Sequence, residues 1–136
     1  MKYNLFIGRY QSPHLGHQEI FDSYLDEGKP VLIAVRDVTP DADNPLTADE
    51  VKSIWEAVYA NNPLVKIIIL PDIESVNYGR NVGYSICEVL VGESTAAISA
   101  TEIRRQIRAG ESDWKDKVDP RAQSILEELI LKKTQQ

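Results

Sequence analysis

His14 and His17 are the only histidines of the chain, and they stand three residues apart in the segment Gly8-Arg9-Tyr10-Gln11-Ser12-Pro13-His14-Leu15-Gly16-His17. Imidazoles at such a turn can donate hydrogen bonds to a phosphoryl oxygen whose negative charge grows during a reaction. Gly8 and Gly16 flank them, and a glycine lets a ligand come close to the main chain. About 80 residues further on, Ile98-Ser99-Ala100-Thr101-Glu102-Ile103-Arg104 sets two hydroxyls ahead of a guanidinium one helical turn away. Ser99 or Thr101 can cap a helix or donate to phosphate oxygens, and Arg104 can clamp them bidentately. Arg105 and Arg108 bring more positive charge to the same stretch. Each group also has a purely structural reading: loop and cap residues for the histidines, an N-cap for the hydroxyls, a solvated face for the arginines. A third set, Tyr78, Arg80 and Tyr84, could stack on an acceptor and bind its phosphate, or equally form a turn with partly buried tyrosines.

These groups need elements to hold them. Tyr3 to Ile7, Pro30 to Val35 and Val65 to Leu70 are short β-branched apolar runs, the pattern of strands buried on both faces. Between the first two, Ile20, Phe21, Tyr24 and Leu25 recur at helical spacing within His17 to Glu27, and Gly28 and Pro30 end the run. A second helix is expected from Ala48 to Tyr59, burying Val51, Ile54, Trp55 and Val58. The order β-α-β-α-β implies an open, doubly wound parallel α/β sheet of Rossmann-like type, with helices on both faces and ligands at the carboxyl ends of the strands. The histidine segment then falls at a strand-to-helix turn, where free N–H groups and the positive end of the helix dipole favour a phosphate. Val76 to Val91 reads as a fourth strand or as a helical turn plus strand. Thr101 to Ala109 reads as a helix stopped by Gly110, and Pro120 to Lys133 as another with proline in its first turn. Thr47 and Glu50 have capping-box spacing ahead of the second helix.

The 136 residues suit one domain, with a core over about residues 1–110 and a C-terminal helix over about 119–133. A net charge of −6 argues against a general nucleic-acid or anionic-membrane binder. Cys87 is the only cysteine, so an intrachain disulfide and multi-cysteine zinc sites are excluded and no metal-ligating set is assigned. Neither a secretory apolar region nor a membrane-length apolar run is present, so the expected location is the cytoplasm.

The ten-residue histidine segment resembles the H-x-G-H region of the nucleotidylyltransferase superfamily. It is most similar to that of the archaeal-type nicotinamide mononucleotide adenylyltransferases, which read G-R-F-Q-P-F-H-x-G-H. Ser99, Thr101 and Arg104 match the superfamily's I-S-S-T-x-x-R motif, with Ala100 in place of Ser. Asn44-Pro45-Leu46-Thr47 resembles N-P-F-T, although Val51 stands where those enzymes have Arg, and the likeness thins between residues 75 and 96, where an S-G-N strand and tryptophan-bearing helix residues have no counterpart. The resemblance implies a nucleotidylyltransferase that moves a nucleoside monophosphate, AMP from ATP, onto a phosphorylated small-molecule acceptor and releases pyrophosphate. His14, His17 and Arg104 would be catalytic; Gly8, Arg9, Gly16, Ser99 and Thr101 would bind the nucleotide; Tyr78, Arg80 and Tyr84 are the candidates for the acceptor. Magnesium would come bound mainly through the nucleotide's phosphates. Two alternatives stand beside it: a cytidylyltransferase using CTP, and a nucleotide-binding regulatory module without turnover. A homo-oligomer is compatible with either.

Overall fold

The computed structural model describes residues 1–80, 82–87 and 98–134. Three parallel strands, β1 (Asn4–Gly8), β2 (Val31–Asp37) and β3 (Val65–Pro71), form one sheet in the order β1-β2-β3. Their register pairs Gly8 with Val35 and Val35 with Ile69, so the carboxyl ends of all three strands lie at one edge. Helix α1 (Leu15–Leu25) connects β1 to β2, and α2 (Ala48–Val58) connects β2 to β3. Such parallel neighbours require crossover helices, and the result is a small Rossmann-like α/β unit, the fold class expected from the run of apolar segments, although among the described residues the strand order does not reverse and both crossover helices lie on one face instead of on two.

The core forms where α1 and α2 cover one face of the sheet. Val31, Ile33 and Val35 are completely buried there against Val51, Ile54, Trp55 and Val58 of α2, with Phe21 of α1 beside them. Residues of β1 on the other face are less enclosed, Leu5 being 51% exposed. Helix α3 (Ala100–Ala109) ends at Gly110, whose φ of 78° is left-handed and suits a residue without Cβ. A 3-10 turn (Asp113–Lys117) follows, burying Trp114, and leads into α4 (Pro120–Thr134). Helix α4 packs on both α2 and α3 and so ties the C-terminal part of the chain to the sheet layer.

Observed boundaries differ from the expected ones by a residue or two. Helix α1 begins at Leu15, two residues early, because His14 itself is its N-cap. The 3-10 turn was not expected, since four charged residues around one tryptophan carry no periodic signal. From Ile73 to Cys87 the described residues form no strand or helix, and the remainder of the proposed Val76 to Val91 element lies outside the described residues. No helix among the described residues is long and apolar enough to cross a membrane.

Candidate functional site

The turn from β1 into α1 is built as a reciprocal cap. His14 is extended (φ −145°, ψ 175°), and its Nδ1 accepts the Gly16 N–H at 3.0 Å. Three residues on, Nδ1 of His17 accepts the His14 N–H at 3.2 Å. Two of the N–H groups that a helix start leaves unpaired are thereby satisfied by imidazoles in place of the usual Ser and Glu. Chemistry follows from this. A ring nitrogen that accepts an N–H keeps its lone pair, so the proton of each neutral imidazole is on Nε2. In this arrangement both rings present Nε2–H as the donor, and neither uses that group on another described residue.

The two rings stack, with centroids 3.8 Å apart at 17°. Burial lowers the pKa of His14 to about 4, and burial together with the positive charge that His14 would carry lowers that of His17 to about 3. At neutral pH both are uncharged donors. Tyr10 meets His17 edge-on at 4.9 Å and 88°, and the wholly buried Trp55 approaches the same ring at 5.9 Å and 75°. Tyr10 reaches this place through a left-handed backbone (φ 51°), a conformation that costs a residue with a side chain on the order of 1 kcal/mol or more. A Cβ on Gly8 would lie 2.9 Å from Cζ of Tyr10. The freedom of Gly8 is thus used by the tyrosine ring.

Helix α3 brings the second set of residues to the same turn. Ser99 is its N-cap, its Oγ accepting the Glu102 N–H at 3.3 Å, which leaves the hydroxyl proton free to donate. Arg104 is only 5% exposed. Its guanidinium donates to the carbonyl of Gln11 at 3.2 Å, to the carbonyl of Asp43 at 2.7 Å and toward Oγ1 of Thr101 at 3.4 Å. All three acceptors are neutral, and no carboxylate pairs with Arg104 among the described residues. Burial lowers its pKa, the like charge of Arg108 adds to that, and Asp43 opposes it. A guanidinium has five N–H donors, so part of a buried positive charge is left for an anion. Arg9 repeats the theme more weakly, since its Nε and Nη2 are buried without a hydrogen-bond partner among the described residues.

Gln11 makes the site one piece. Its side-chain amide donates to the Leu46 carbonyl at 3.0 Å and accepts the Leu46 N–H at 2.8 Å, while its own carbonyl takes the bond from Arg104. The β1–α1 turn, the β2–α2 loop and α3 therefore meet around this one residue, the loop at its side chain and α3 at its main-chain carbonyl. Trp55 was expected only as a core residue of the second helix, and Tyr10 and Gln11 only as members of the histidine segment; their parts in the site were not assigned, because a glutamine in a loop has no local pattern and a left-handed tyrosine runs against propensity. Tyr78 and Tyr84, 58% and 73% exposed, and the exposed Arg80 stand apart on the chain after β3, and the described residues do not enclose them in the site. Among the described residues no group of three or more His, Cys, Asp or Glu side chains is placed to hold a metal ion.

No family model matches the chain. Two curated proteins do, along nearly its whole length. One is the nicotinamide-nucleotide adenylyltransferase of Aeropyrum pernix, 26% identical over 164 aligned positions that cover 96% of this chain and 94% of the relative. The other is the nicotinamide-nucleotide adenylyltransferase of Pyrococcus furiosus, 26% identical over 160 positions that cover 95% of this chain and 85% of the relative. The likeness supports the nucleotidylyltransferase superfamily and nucleotidyl transfer of the adenylyl type.

Proposed function

We propose that this chain transfers AMP from ATP to a phosphorylated small-molecule acceptor and releases pyrophosphate. The observation that carries the reading is the pair of neutral imidazoles presenting Nε2–H at the turn whose Gln11 carbonyl also accepts from a buried arginine, one with no carboxylate partner among the described residues. Plain nucleotide binding is served by charge alone; neutral donors oriented before a ligand arrives are suited to charge that develops during reaction. In the proposed step an acceptor phosphate oxygen attacks the α-phosphorus in line. A new P–O bond forms as the bond to the bridging oxygen breaks, and pyrophosphate leaves with that electron pair. His14 and His17 donate to the α-phosphate and bridging oxygens. Arg104, the Ser99 hydroxyl and Thr101 hold the β- and γ-phosphates, and the main chain at Gly8, Arg9 and Gly16 borders the nucleotide. Magnesium is assigned to the phosphate oxygens of the nucleotide and to water, where it offsets their charge. No covalent intermediate on the protein is required, because positioning and charge stabilisation suffice for phosphoryl transfer.

The test is pyrophosphate release with ATP or CTP against a panel of phosphorylated acceptors that includes nicotinamide mononucleotide. Release with ATP and one acceptor is expected. From the thin likeness between residues 75 and 96 we expect nicotinamide mononucleotide to be a poor acceptor, and its turnover at roughly 1 per second or faster would reverse that part of the reading. Binding of ATP without release for any acceptor would favour the regulatory module, and preference for CTP the cytidylyltransferase.

A further inference from the structure

We propose that Tyr10 is a positioning residue for His17, holding its imidazole in the one orientation that leaves Nε2–H available to a ligand. The proposal rests on the reading of His17 as a donor and adds what keeps it one. The capping bond from the His14 N–H anchors Nδ1 of His17 at 3.2 Å, but a single hydrogen bond leaves the ring able to turn about its Cβ–Cγ bond and exchange tautomers. Three neighbours limit that turn. His14 covers one face at 3.8 Å, Tyr10 presents its ring edge-on at 4.9 Å, and Trp55 stands behind at 5.9 Å.

Of these, Tyr10 is the one that two unusual backbone features serve. Its own φ of 51° turns the ring inward, and the absence of a side chain at Gly8 makes room for it, since a Cβ there would be 2.9 Å from Cζ. Tyr10 also meets Trp55 and Phe21 edge-on, at 5.6 Å and 5.9 Å, so its ring is braced against the core that α1 and α2 build. A strained tyrosine, a glycine that accommodates it and a half-buried imidazole beside it form a chain of contacts from the sheet to the reacting position. Burial at this place keeps His17 neutral and also pushes up the pKa of the Tyr10 phenol. Ordering the donor before a ligand arrives removes reorganisation from the step.

Long-range proton–nitrogen NMR of the ligand-free protein reads the tautomer and titration of His17 directly. The wild type and Tyr10→Phe should show one neutral tautomer, protonated on Nε2, that stays uncharged well below pH 6. Tyr10→Ala and the volume-keeping Tyr10→Leu should show mixed tautomers and a titration shifted toward the ordinary histidine range. Val58→Ala, a change in the same core without ring contact to His17, controls for general loosening and should leave the tautomer intact. Should Tyr10→Ala not fold, Tyr10→Leu decides alone. The proposal is overturned if the single tautomer persists without the tyrosine ring, or if Val58→Ala scrambles it as much. Pyrophosphate release by Tyr10→Leu should then fall about tenfold in kcat with KM nearly unchanged. Scrambled tautomers with undiminished release would leave the positioning role standing and overturn His17 as the charge-stabilising donor.

Discussion

His17 and Arg104 both face the proposed phosphates, yet their surroundings make different failures expected when each is removed. His17 is neutral and serves as a donor, so His17→Ala should lower turnover about 100-fold, near 3 kcal/mol, while ATP affinity changes little. Arg104 is charged in every state of the reaction, and Arg104→Ala should weaken ATP binding by roughly 1 to 3 kcal/mol as well as slow release. Calorimetric affinity and single-turnover rates separate the two; equal losses of affinity in both variants would contradict these roles. Acid provides a second measure of the histidines. In the unfolded chain both protonate near pH 6.5, whereas in the folded protein His14 holds out to about pH 4 and His17 to about pH 3. The unfolded state therefore binds more protons across that window, and their contribution to stability is present above pH 6.5 and is lost as pH falls. The slope should reach up to about 1.4 kcal/mol per pH unit for each histidine. Urea titrations from pH 7.5 to 4.5 should show it, and His14→Asn, which can still cap the helix, should flatten it.

Helix α2 shows how an element can serve the site without touching a ligand. Thr47 and Glu50 form a reciprocal cap, with Oγ1 accepting the Glu50 N–H at 3.1 Å and the carboxylate accepting the Thr47 N–H at 2.8 Å, as their spacing suggested. Glu50 is also paired with Lys133 at 2.8 Å. Thr47→Ala should cost about 1 kcal/mol in urea unfolding and leave ATP affinity unchanged. Gln11→Ala should behave otherwise. It strips partners from both backbone groups of the fully buried Leu46, a loss of about 1 to 3 kcal/mol for each group left unsatisfied, and it frees the β2–α2 loop, whose Asp43 carbonyl accepts from Arg104 of α3, so ATP affinity should fall with stability. A stability loss with intact affinity would show that the three segments bind independently. This contrast also marks what could be read in advance. Strands, helix phases and the Thr47 cap were legible because each is written in a few neighbouring residues. The meeting of Arg104 with the carbonyls of Gln11 and Asp43 joins residues 93 and 61 positions apart and has no local trace. Ser99, Thr101, Arg104 and the two histidines were marked out by residue type and motif, but their mutual placement came only from the packing of α3.

At the scale of the whole molecule, the site is assembled from the first turn after β1, the loop after β2 and a helix near the C-terminus, so a ligand that spans them should stiffen the entire fold. ATP with magnesium at about 100 times its Kd should add about 2.7 kcal/mol to stability by mass action, seen as a rise in Tm. No rise with ATP or with CTP at millimolar concentration would remove the nucleotide from the account. The acidic composition adds a condition: with a net charge of −6, a polyphosphate meets an overall repulsive molecule, and its attraction is confined to the few cations at the strand ends. Binding should therefore be sensitive to which arginine is altered more than to added salt. Trp55 has an optical consequence. An indole wholly shielded from water and edge-on to both Tyr10 and His17 will emit toward the blue, and an imidazolium is a quencher of indole emission, so the light from Trp55 should dim when His17 takes up a proton. The chain's other tryptophan, Trp114, is buried beside α3 and α4 and can be replaced by Phe to leave a single emitter. The protonation state of the proposed donor could then be followed in real time, through a stopped-flow mixing event, without a label.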